Sequence, residues 1–148
     1  MKPVILIPTF NESISIVELL EKLSTLHNTR DFDVIVLDDN SPDKTADIVD
    51  GLKLSWVSVI RRPGKAGLGA AYRAGFSRVL ELDKYSHVIT MDADGSHRVE
   101  DLPAMMDAVH SSNISITLGS RWIPGGSVVN WPLFRQLLSK AGTGYARI

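Results

Sequence analysis

His87-Val88-Ile89-Thr90-Met91-Asp92-Ala93-Asp94 is an apolar run that leads directly into two carboxylates spaced two residues apart. The run predicts a buried β-strand, and the carboxylates predict the loop that follows it. Two neighbouring carboxylates repel each other unless a positive charge lies between them, and Mg²⁺ and Mn²⁺ prefer oxygen ligands. Aspartate is also a common turn former. Taken alone, the pair leaves a metal site and a simple turn both open.

The bulk composition predicts one globular domain over residues 1–148. Of the 148 residues, 44% are hydrophobic and 22% are charged, and the net charge is −1. The balanced charge gives no argument for nucleic acid as a partner. The absence of cysteine excludes disulfides and thiolate metal sites. No apolar run approaches the roughly 20 residues that span a bilayer, and the first residues enter a strand-like run so directly that we expect no signal peptide.

Apolar runs alternate with helical patterns along the whole chain. The runs predict five strands, at residues 4–7, 33–37, 56–60, 87–91 and 114–118. The third run alternates in part, which leaves open whether it lies near an edge. Strands that alternate with helices predict an α/β fold with a mostly parallel sheet, right-handed crossovers and helices on both faces.

The helical patterns have identifiable inward faces. In the first, Ile14, Val17, Leu20 and Leu23 share a face, and Ser15 with Glu18 is a candidate capping box, although a start at Asn11 is also open. The inward residues predicted for the next helices are Ile48, Val49 and Leu52, then Ala71, Ala74, Gly75, Val79 and Leu82, then Leu102, Met105, Met106 and Val109. The last pattern runs from Leu133 to Ile148 and weakens at two glycines.

Charged residues follow every predicted strand. They are Glu12, Asp38-Asp39, Lys65, Asp92 with Asp94, and Arg121. Singly, each has an ordinary explanation as a helix-start, turn or solvent-exposed residue, and one of Asp38 and Asp39 is expected to be structural because adjacent strand residues point to opposite sides. Together, at the edge where parallel sheets bind ligands, they supply acids for a metal and bases for phosphates around a nucleobase-sized cleft between the first two strands. This set predicts a site for a nucleoside diphosphate.

Six segments in chain order carry a resemblance to a known family. They are Pro8-Thr9-Phe10-Asn11-Glu12, Leu37-Asp38-Asp39-Asn40-Ser41-Pro42-Asp43, Lys65-Ala66-Gly67-Leu68-Gly69, Asp92-Ala93-Asp94, Gly119-Ser120-Arg121, and Asn130-Trp131-Pro132 with Arg135. Over essentially the whole chain they resemble the dolichol-phosphate (polyprenol-phosphate) mannosyltransferases, inverting glycosyltransferases with the GT-A fold. The segment after the first strand lacks the glycines of a dinucleotide-binding Rossmann domain, which disfavours that class.

The resemblance implies a GT-A (Rossmann-like) fold and mannose transfer from GDP-mannose to a polyprenyl or dolichyl phosphate. The implied nucleotide-sugar site comprises Pro8, Phe10, Asn11, Glu12, Leu37, Asp39, Lys65, Asp92, Ala93, Asp94 and Arg121. It further implies Mg²⁺ or Mn²⁺ on Asp92, Asp94 and Ser96, and catalytic roles for Asp94, Arg121 and Arg135, with the two arginines on phosphate. Gly95 and Arg98 depart from the family pattern in the metal loop.

Two alternatives stay open from the sequence. One is a related transferase that uses another nucleotide sugar, such as UDP-glucose, and the other is a nucleotide-binding module without catalysis. Because the family's catalytic domain is longer, we expect a chain truncated or trimmed at its C-terminus that binds nucleotide without full activity. The lipid acceptor implies a peripheral location at the cytoplasmic face of a membrane, through a membrane surface or a membrane-anchoring partner.

Overall fold

A four-stranded parallel sheet organises the first hundred residues of this computed structural model. Its strands are β1 (Lys2–Thr9), β2 (Asp33–Asp38), β3 (Val57–Arg61) and β4 (Tyr85–Thr90). They lie in the order β3-β2-β1-β4, and each neighbouring pair is parallel. The predicted α/β fold is therefore confirmed, and the third strand is an edge strand of this sheet.

The helices are α1 (Ser15–His27), α2 (Thr45–Gly51), α3 (Leu68–Leu82), α4 (Leu102–Ser111) and α5 (Leu133–Tyr145), with a 3₁₀ turn at Val99–Asp101. The structure describes residues 1–111, 115–120, 122–123, 126, 128 and 131–145. They belong to two compact units, Met1–Glu100 and Asp101–Ile148. Within the described residues, no helix is both long enough and apolar enough to cross a bilayer.

The direction of the chain changes at β1. The first two crossovers run from β1 to β2 and on to β3, whereas the third returns past them to place β4 on the free side of β1. Right-handed crossovers then put α1 and α2 on one face of the sheet and α3 on the other. A crevice forms at such a switch point beyond the strand ends, here between β1 and β4.

The middle of the sheet is buried on both faces. Val4 and Leu6 of β1 pack in one cluster with Ala71 and Val79 of α3. Residues 5 and 7, which point to the opposite face, are also 0% exposed. This two-sided burial explains why β1 and β2 are continuous apolar runs in the sequence.

Gly75 sets the distance between α3 and the sheet. A methyl group on Gly75 would lie 2.8 Å from terminal carbons of both Leu6 and Leu37, closer than ordinary carbon contacts. The helix therefore lies against the two central strands without room for a side chain at this position. Gly69, in the first turn of the same helix, has open space around it.

Some details of the first two helices differ from the prediction. In α1 the buried residues are Ile16, Leu19, Leu20 and Leu23, whereas Ile14 is 76% exposed. The predicted capping box is wrong, because Ser15 hydrogen-bonds Glu12 and not Glu18. In α2 the buried residues are Thr45, Ala46 and Val49, and the predicted Ile48 and Leu52 are partly exposed. In α2 the first residue, Thr45, is buried because its hydroxyl accepts the Glu12 N–H of the loop after β1 at 3.1 Å.

The predicted fifth strand is not formed in the residues described. Residues 115–120 have no strand assignment, and Ile116 and Leu118 are 75% and 83% exposed. An alternating pattern favours a strand only where a partner strand and a packing surface receive it. The helix predicted from Leu133 is confirmed through Tyr145, and the last three residues lie outside the described part.

The contact at Gly75 predicts a difference between two glycine substitutions in one helix. Replacing Gly75 with Ala should gain ~1 kcal/mol of helix propensity but lose roughly 1–3 kcal/mol to overpacking against the two leucines. We expect a net loss in the free energy of unfolding, measured by urea denaturation. The control Gly69→Ala should be neutral or stabilising, and a Gly75→Ala variant as stable as the parent would contradict the close packing.

Candidate functional site

The loop after β1 is held by side chains from the loop after β2. Three consecutive backbone N–H groups of the first loop donate to three oxygens of the second, at 3.0–3.1 Å. The pairs are Asn11 with Ser41 Oγ, Glu12 with Thr45 Oγ1, and Ser13 with Asp43 Oδ2. Asn11 has φ of 59°, a conformation that asparagine tolerates better than most residues. The first loop is therefore fixed in shape by its neighbour.

Asp38 is a structural residue of this arrangement. Its carboxylate is buried and accepts hydrogen bonds from Thr9 Oγ1 at 3.0 Å and from the Ser41 backbone N–H at 2.9 Å. The Ser41 hydroxyl donates to it as well, at 2.5 Å. This confirms the expectation that one member of the Asp38-Asp39 pair has a structural role.

Asp39 is paired with a cation. Its side chain is 8% exposed and forms an ion pair with Arg62, which is 11% exposed. The Arg62 backbone N–H donates to the Asp38 carbonyl at 2.8 Å, so the arginine is anchored at both ends. Leu37 lies fully buried in the core, so its side chain faces the packing and not the rim.

Asp43 is held in its ionised form by hydrogen bonds. Burial alone would raise the pKa of this carboxyl, but donors from Thr45 and Ser13 outweigh it and lower the pKa below the usual value. The Thr45 hydroxyl donates to Asp43 at 2.5 Å and itself accepts the Glu12 N–H. Asp43 therefore stabilises the start of α2 and the loop after β1 together.

Lys65, in the loop after β3, contacts Phe10, in the loop after β1. The Lys65 ammonium lies 4.2 Å from the centre of the Phe10 ring, a cation–π contact. Gly67, with φ of 88°, is the N-cap of α3, and its carbonyl accepts the N–H groups of Ala70 and Ala71. The glycine-rich segment thus turns the chain into α3 and leaves Lys65 on the rim.

Asp92 begins the loop after β4, at the switch point. Its Oδ1 accepts a hydrogen bond from the Tyr72 hydroxyl at 3.3 Å, and its backbone N–H donates to His97 Nδ1 at 3.0 Å. Burial, followed by the charge of Asp92, raises the pKa of Tyr72 to about 12, so the hydroxyl keeps its proton.

Asp94 is exposed, and its carboxylate is hydrogen-bonded within its own loop. Its Oδ1 accepts the Ser96 backbone N–H at 2.8 Å, and Gly95 between them has φ of 77°. This hydrogen bond outweighs burial and lowers the pKa of Asp94. The carboxylate is therefore ionised at neutral pH.

An open groove lies beside Asp94. Glu18 and Lys22 of α1 line one side, and Asp94, His97 and Arg98 of the β4 loop line the other. Within the described part of the chain, no three His, Cys, Asp or Glu side chains form a group that could hold a metal ion. Any metal here would be held by Asp92 and Asp94, whose carboxylates are the hard oxygen donors that Mg²⁺ and Mn²⁺ prefer.

Of the two predicted phosphate-binding arginines, Arg135 lies among the described residues, in the second unit. Arg121 lies outside the described residues. Arg135 is near the start of α5, exposed, with its guanidinium 4.1 Å from the centre of the Trp131 ring. Within the same unit the Trp122 indole N–H donates to Ser139 of α5 at 3.1 Å.

The sequence prediction missed the roles of four residues in the first unit. They are Ser41, Thr45, Arg62 and Tyr72. Ser41 and Thr45 had a signal, since hydroxyls and carboxylates near helix starts commonly accept loop N–H groups. Tyr72 had none, because its spacing along α3 is that of an ordinary core residue.

Comparison with known proteins gives a consistent family. The model of glycosyl transferase family 2 matches residues 4–147. A polyprenol monophosphomannose synthase of Mycolicibacterium smegmatis is 41% identical over 99% of this chain and 55% of its own length. An undecaprenyl-phosphate mannosyltransferase of Micrococcus luteus is 43% identical over 100% and 60%. A dolichol-phosphate mannosyltransferase of Pyrococcus furiosus is 34% identical over 100% and 41%. The chain spans about half the length of these relatives.

Solved structures agree on the fold. The mannosyltransferase PcManGT from Pyrobaculum calidifontis, in complex with GDP-Man and Mn²⁺, superimposes with a TM-score of 0.56 at 19% identity, over 70% of this chain and 30% of that one. Mannosyl-3-phosphoglycerate synthase from Rubrobacter xylanophilus gives 0.60 at 17%, over 76% and 37%. At these identities the likeness concerns the fold alone.

The hydrogen bonds to Asp43 predict an acid-sensitive contribution to stability. A carboxyl whose pKa is lowered by folding stabilises the protein above its unfolded pKa of about 3.9, and this is lost as the pH falls through the folded value. Asp43→Asn should therefore lower the melting temperature at pH 7, and the difference from the parent should shrink below about pH 4. Thermal unfolding followed by circular dichroism measures both.

Asp83→Asn is the matched control, because Asp83 is an exposed aspartate at the C-cap of α3 with φ of 45°. Asparagine tolerates that conformation equally well. A pH-independent loss in Asp43→Asn, or an equal loss in both variants, would contradict the role given to the Asp43 charge.

Proposed function

We propose that this chain, which belongs to glycosyl transferase family 2, forms the nucleotide-sugar site of an enzyme that moves mannose from GDP-mannose to a polyprenyl or dolichyl phosphate. The observation that carries the proposal is the pair Asp92 and Asp94, which follows β4 at the switch point of the sheet. The relatives named for polyprenol, undecaprenyl and dolichol phosphate mannosyl transfer supply the donor and acceptor classes.

The donor would lie along the rim built by the first three strand ends. The loop after β1 carries Phe10 and Glu12 in a fixed shape, and Asp39 follows β2. Nucleobases are recognised by such placed polar groups, and the shape of the loop limits what can bind there. Lys65, held over Phe10, supplies a positive charge close to this rim.

The two carboxylates fit a divalent cation. Mg²⁺ and Mn²⁺ sites that act on phosphates commonly use one or two protein carboxylates, and substrate oxygens and waters supply the other ligands. Asp92 and Asp94 are hydrogen-bonded by neutral groups, so both charges remain available to a cation. Ser96, two residues on, has a hydroxyl that can add a third oxygen. A bound cation stabilises the negative charge that grows on the departing GDP.

The acceptor phosphate needs little help from a general base of the protein. A phosphate monoester has a second pKa near 6, so it is largely dianionic at neutral pH. Its oxygen attacks the anomeric carbon of mannose as the bond to GDP breaks, which gives a β-linked mannosyl phosphate by inversion. Arg121 and Arg135 are proposed to position the acceptor phosphate, because the guanidinium presents a planar fork of donors.

We also propose peripheral association with the cytoplasmic face of a membrane, where the lipid acceptor resides. In support, α5 presents exposed apolar side chains beside exposed cations. Leu133, Phe134 and Leu137 are 78%, 76% and 66% exposed. Such a helix has the composition of one that lies on a lipid surface or against a membrane-anchoring partner.

The proposal predicts metal-dependent nucleotide binding by the first unit. Isothermal titration of the chain with GDP should show binding that strengthens with Mn²⁺ and is reversed by EDTA. In the presence of Mn²⁺, Asp94→Asn should weaken GDP binding by at least tenfold. Without metal, its GDP affinity should be unchanged, because the substitution removes a charge beside the diphosphate and leaves the nucleoside contacts in place. Asp83→Asn serves as the charge-matched control. Equal GDP affinity with and without Mn²⁺ would contradict the metal assignment.

The proposal also predicts transfer chemistry. With a polyprenyl phosphate, mass spectrometry should detect a mannosyl phosphate product from GDP-mannose and little from UDP-glucose. Asp94→Ala should lower turnover by about 10²–10³, the usual cost of one electrostatic stabiliser, while the protein stays folded. Near-normal turnover in that variant would refute the role of Asp94. A preference for UDP-glucose would favour a different donor, and metal-dependent GDP binding without product would favour a binding module.

A further inference from the structure

We propose that Tyr72 is a positioning residue that holds the Asp92 carboxylate in place for the divalent cation. This inference rests on the proposed function, because it assigns a role at the same site. It adds to this site a residue of α3, a helix whose buried residues pack in the core.

The geometry gives Tyr72 one rigid end and one polar end. Its ring packs against the buried cluster between α3 and the sheet, which includes Leu6 and Leu37. Its hydroxyl lies 3.3 Å from Asp92 Oδ1. The hydroxyl also hydrogen-bonds the side chain of Thr90, the last residue of β4. A partly buried ring that packs against the core therefore ties one oxygen of the Asp92 carboxylate to the sheet.

His97 fixes the same residue through the main chain. Its Nδ1 accepts the Asp92 backbone N–H at 3.0 Å, across the turn of the loop. Asp92 is therefore restrained at its backbone by His97 and at its side chain by Tyr72. The other carboxylate oxygen, Oδ2, lies 3.8 Å from His97 Nε2, beyond a hydrogen bond. Oδ2 is the oxygen that we propose for the cation.

The kind of donor matters as much as the position. A lysine or arginine at this place would neutralise the carboxylate and weaken its hold on a cation, whereas a tyrosine hydroxyl orients it without adding charge. Groups that hydrogen-bond a metal ligand typically contribute 10–100-fold to metal affinity. Tyr72 occupies that position for Asp92.

The test uses two Tyr→Phe variants that each remove one tyrosine–aspartate hydrogen bond. Tyr72→Phe removes the contact with Asp92. Tyr85→Phe removes the 2.9 Å contact with Asp33 Oδ2. This contact lies at the amino-terminal ends of β2 and β4, whereas Asp92 follows the carboxyl end of β4. Free Mn²⁺ is titrated by electron paramagnetic resonance with saturating GDP, GDP affinity is measured without metal, and thermal unfolding checks the fold.

We expect Tyr72→Phe to weaken Mn²⁺ binding by about 10–100-fold with metal-free GDP affinity unchanged, and Tyr85→Phe to leave both unchanged. Mn²⁺ affinity within twofold of the parent in Tyr72→Phe would overturn this inference while the proposed function stands. Equal weakening in both variants would overturn it too, as a general effect of stability. If the parent chain shows no Mn²⁺-dependent GDP binding, the proposed function and this inference fall together.

Discussion

The three hydrogen bonds between the loops after β1 and β2 are the constraint on which the rest of the rim depends. A loop at the end of a buried strand has backbone N–H groups that require partners. Here the partners are side chains of Ser41, Asp43 and Thr45. Asp38 holds Ser41 in turn, through both its hydroxyl and its backbone N–H. The segment from Asp38 to Thr45 is thus a scaffold for the β1 loop, and its acidic character is explained largely by this task.

Helix α3 links the packing of the sheet to the chemistry at its edge. Gly75 lets the helix lie against Leu6 and Leu37, and this close approach brings Tyr72 within reach of Asp92. The same helix begins at the glycine-rich segment that places Lys65 over Phe10. A small change in the seating of α3 would therefore move two parts of the rim at once. Gly75 and Tyr72 lie three residues apart and therefore on the same side of the helix.

The sequence predicts the sheet and the acids at its edge well, because continuous apolar runs and strand-end carboxylates depend on local pattern. The prediction fails where contacts with residues distant in the chain determine the local structure. Ile14 fits the α1 pattern but is exposed, because the helix starts at Ser15 with its face set by Ile16 and Leu19. Residues 115–120 alternate like a strand, yet the described residues give them no strand partner. The hydroxyl of Tyr72 finds Asp92 only after α3 has packed, which no spacing along the chain reveals.

Pairing with lysine or arginine distinguishes several carboxylates of the described residues from Asp92 and Asp94. Asp33 is paired with Lys2 and Lys84, Asp39 with Arg62, and both Asp47 and Asp50 with Arg61. By contrast, the hydrogen bonds found for the carboxylates of Asp92 and Asp94 come from the Tyr72 hydroxyl and from the backbone N–H and hydroxyl of Ser96. These donors orient the carboxylates without neutralising them, as the donors to Asp38 and Asp43 also do. Among the described residues, no lysine or arginine forms an ion pair with Asp92 or Asp94, and His97 Nε2 lies 3.8 Å from Asp92 Oδ2. Two carboxylates two residues apart repel each other unless a cation lies between them. A divalent cation bound with a diphosphate would remove this repulsion, which is the physical reason for proposing Asp92 and Asp94 as its ligands and not the carboxylates that pair with lysine or arginine.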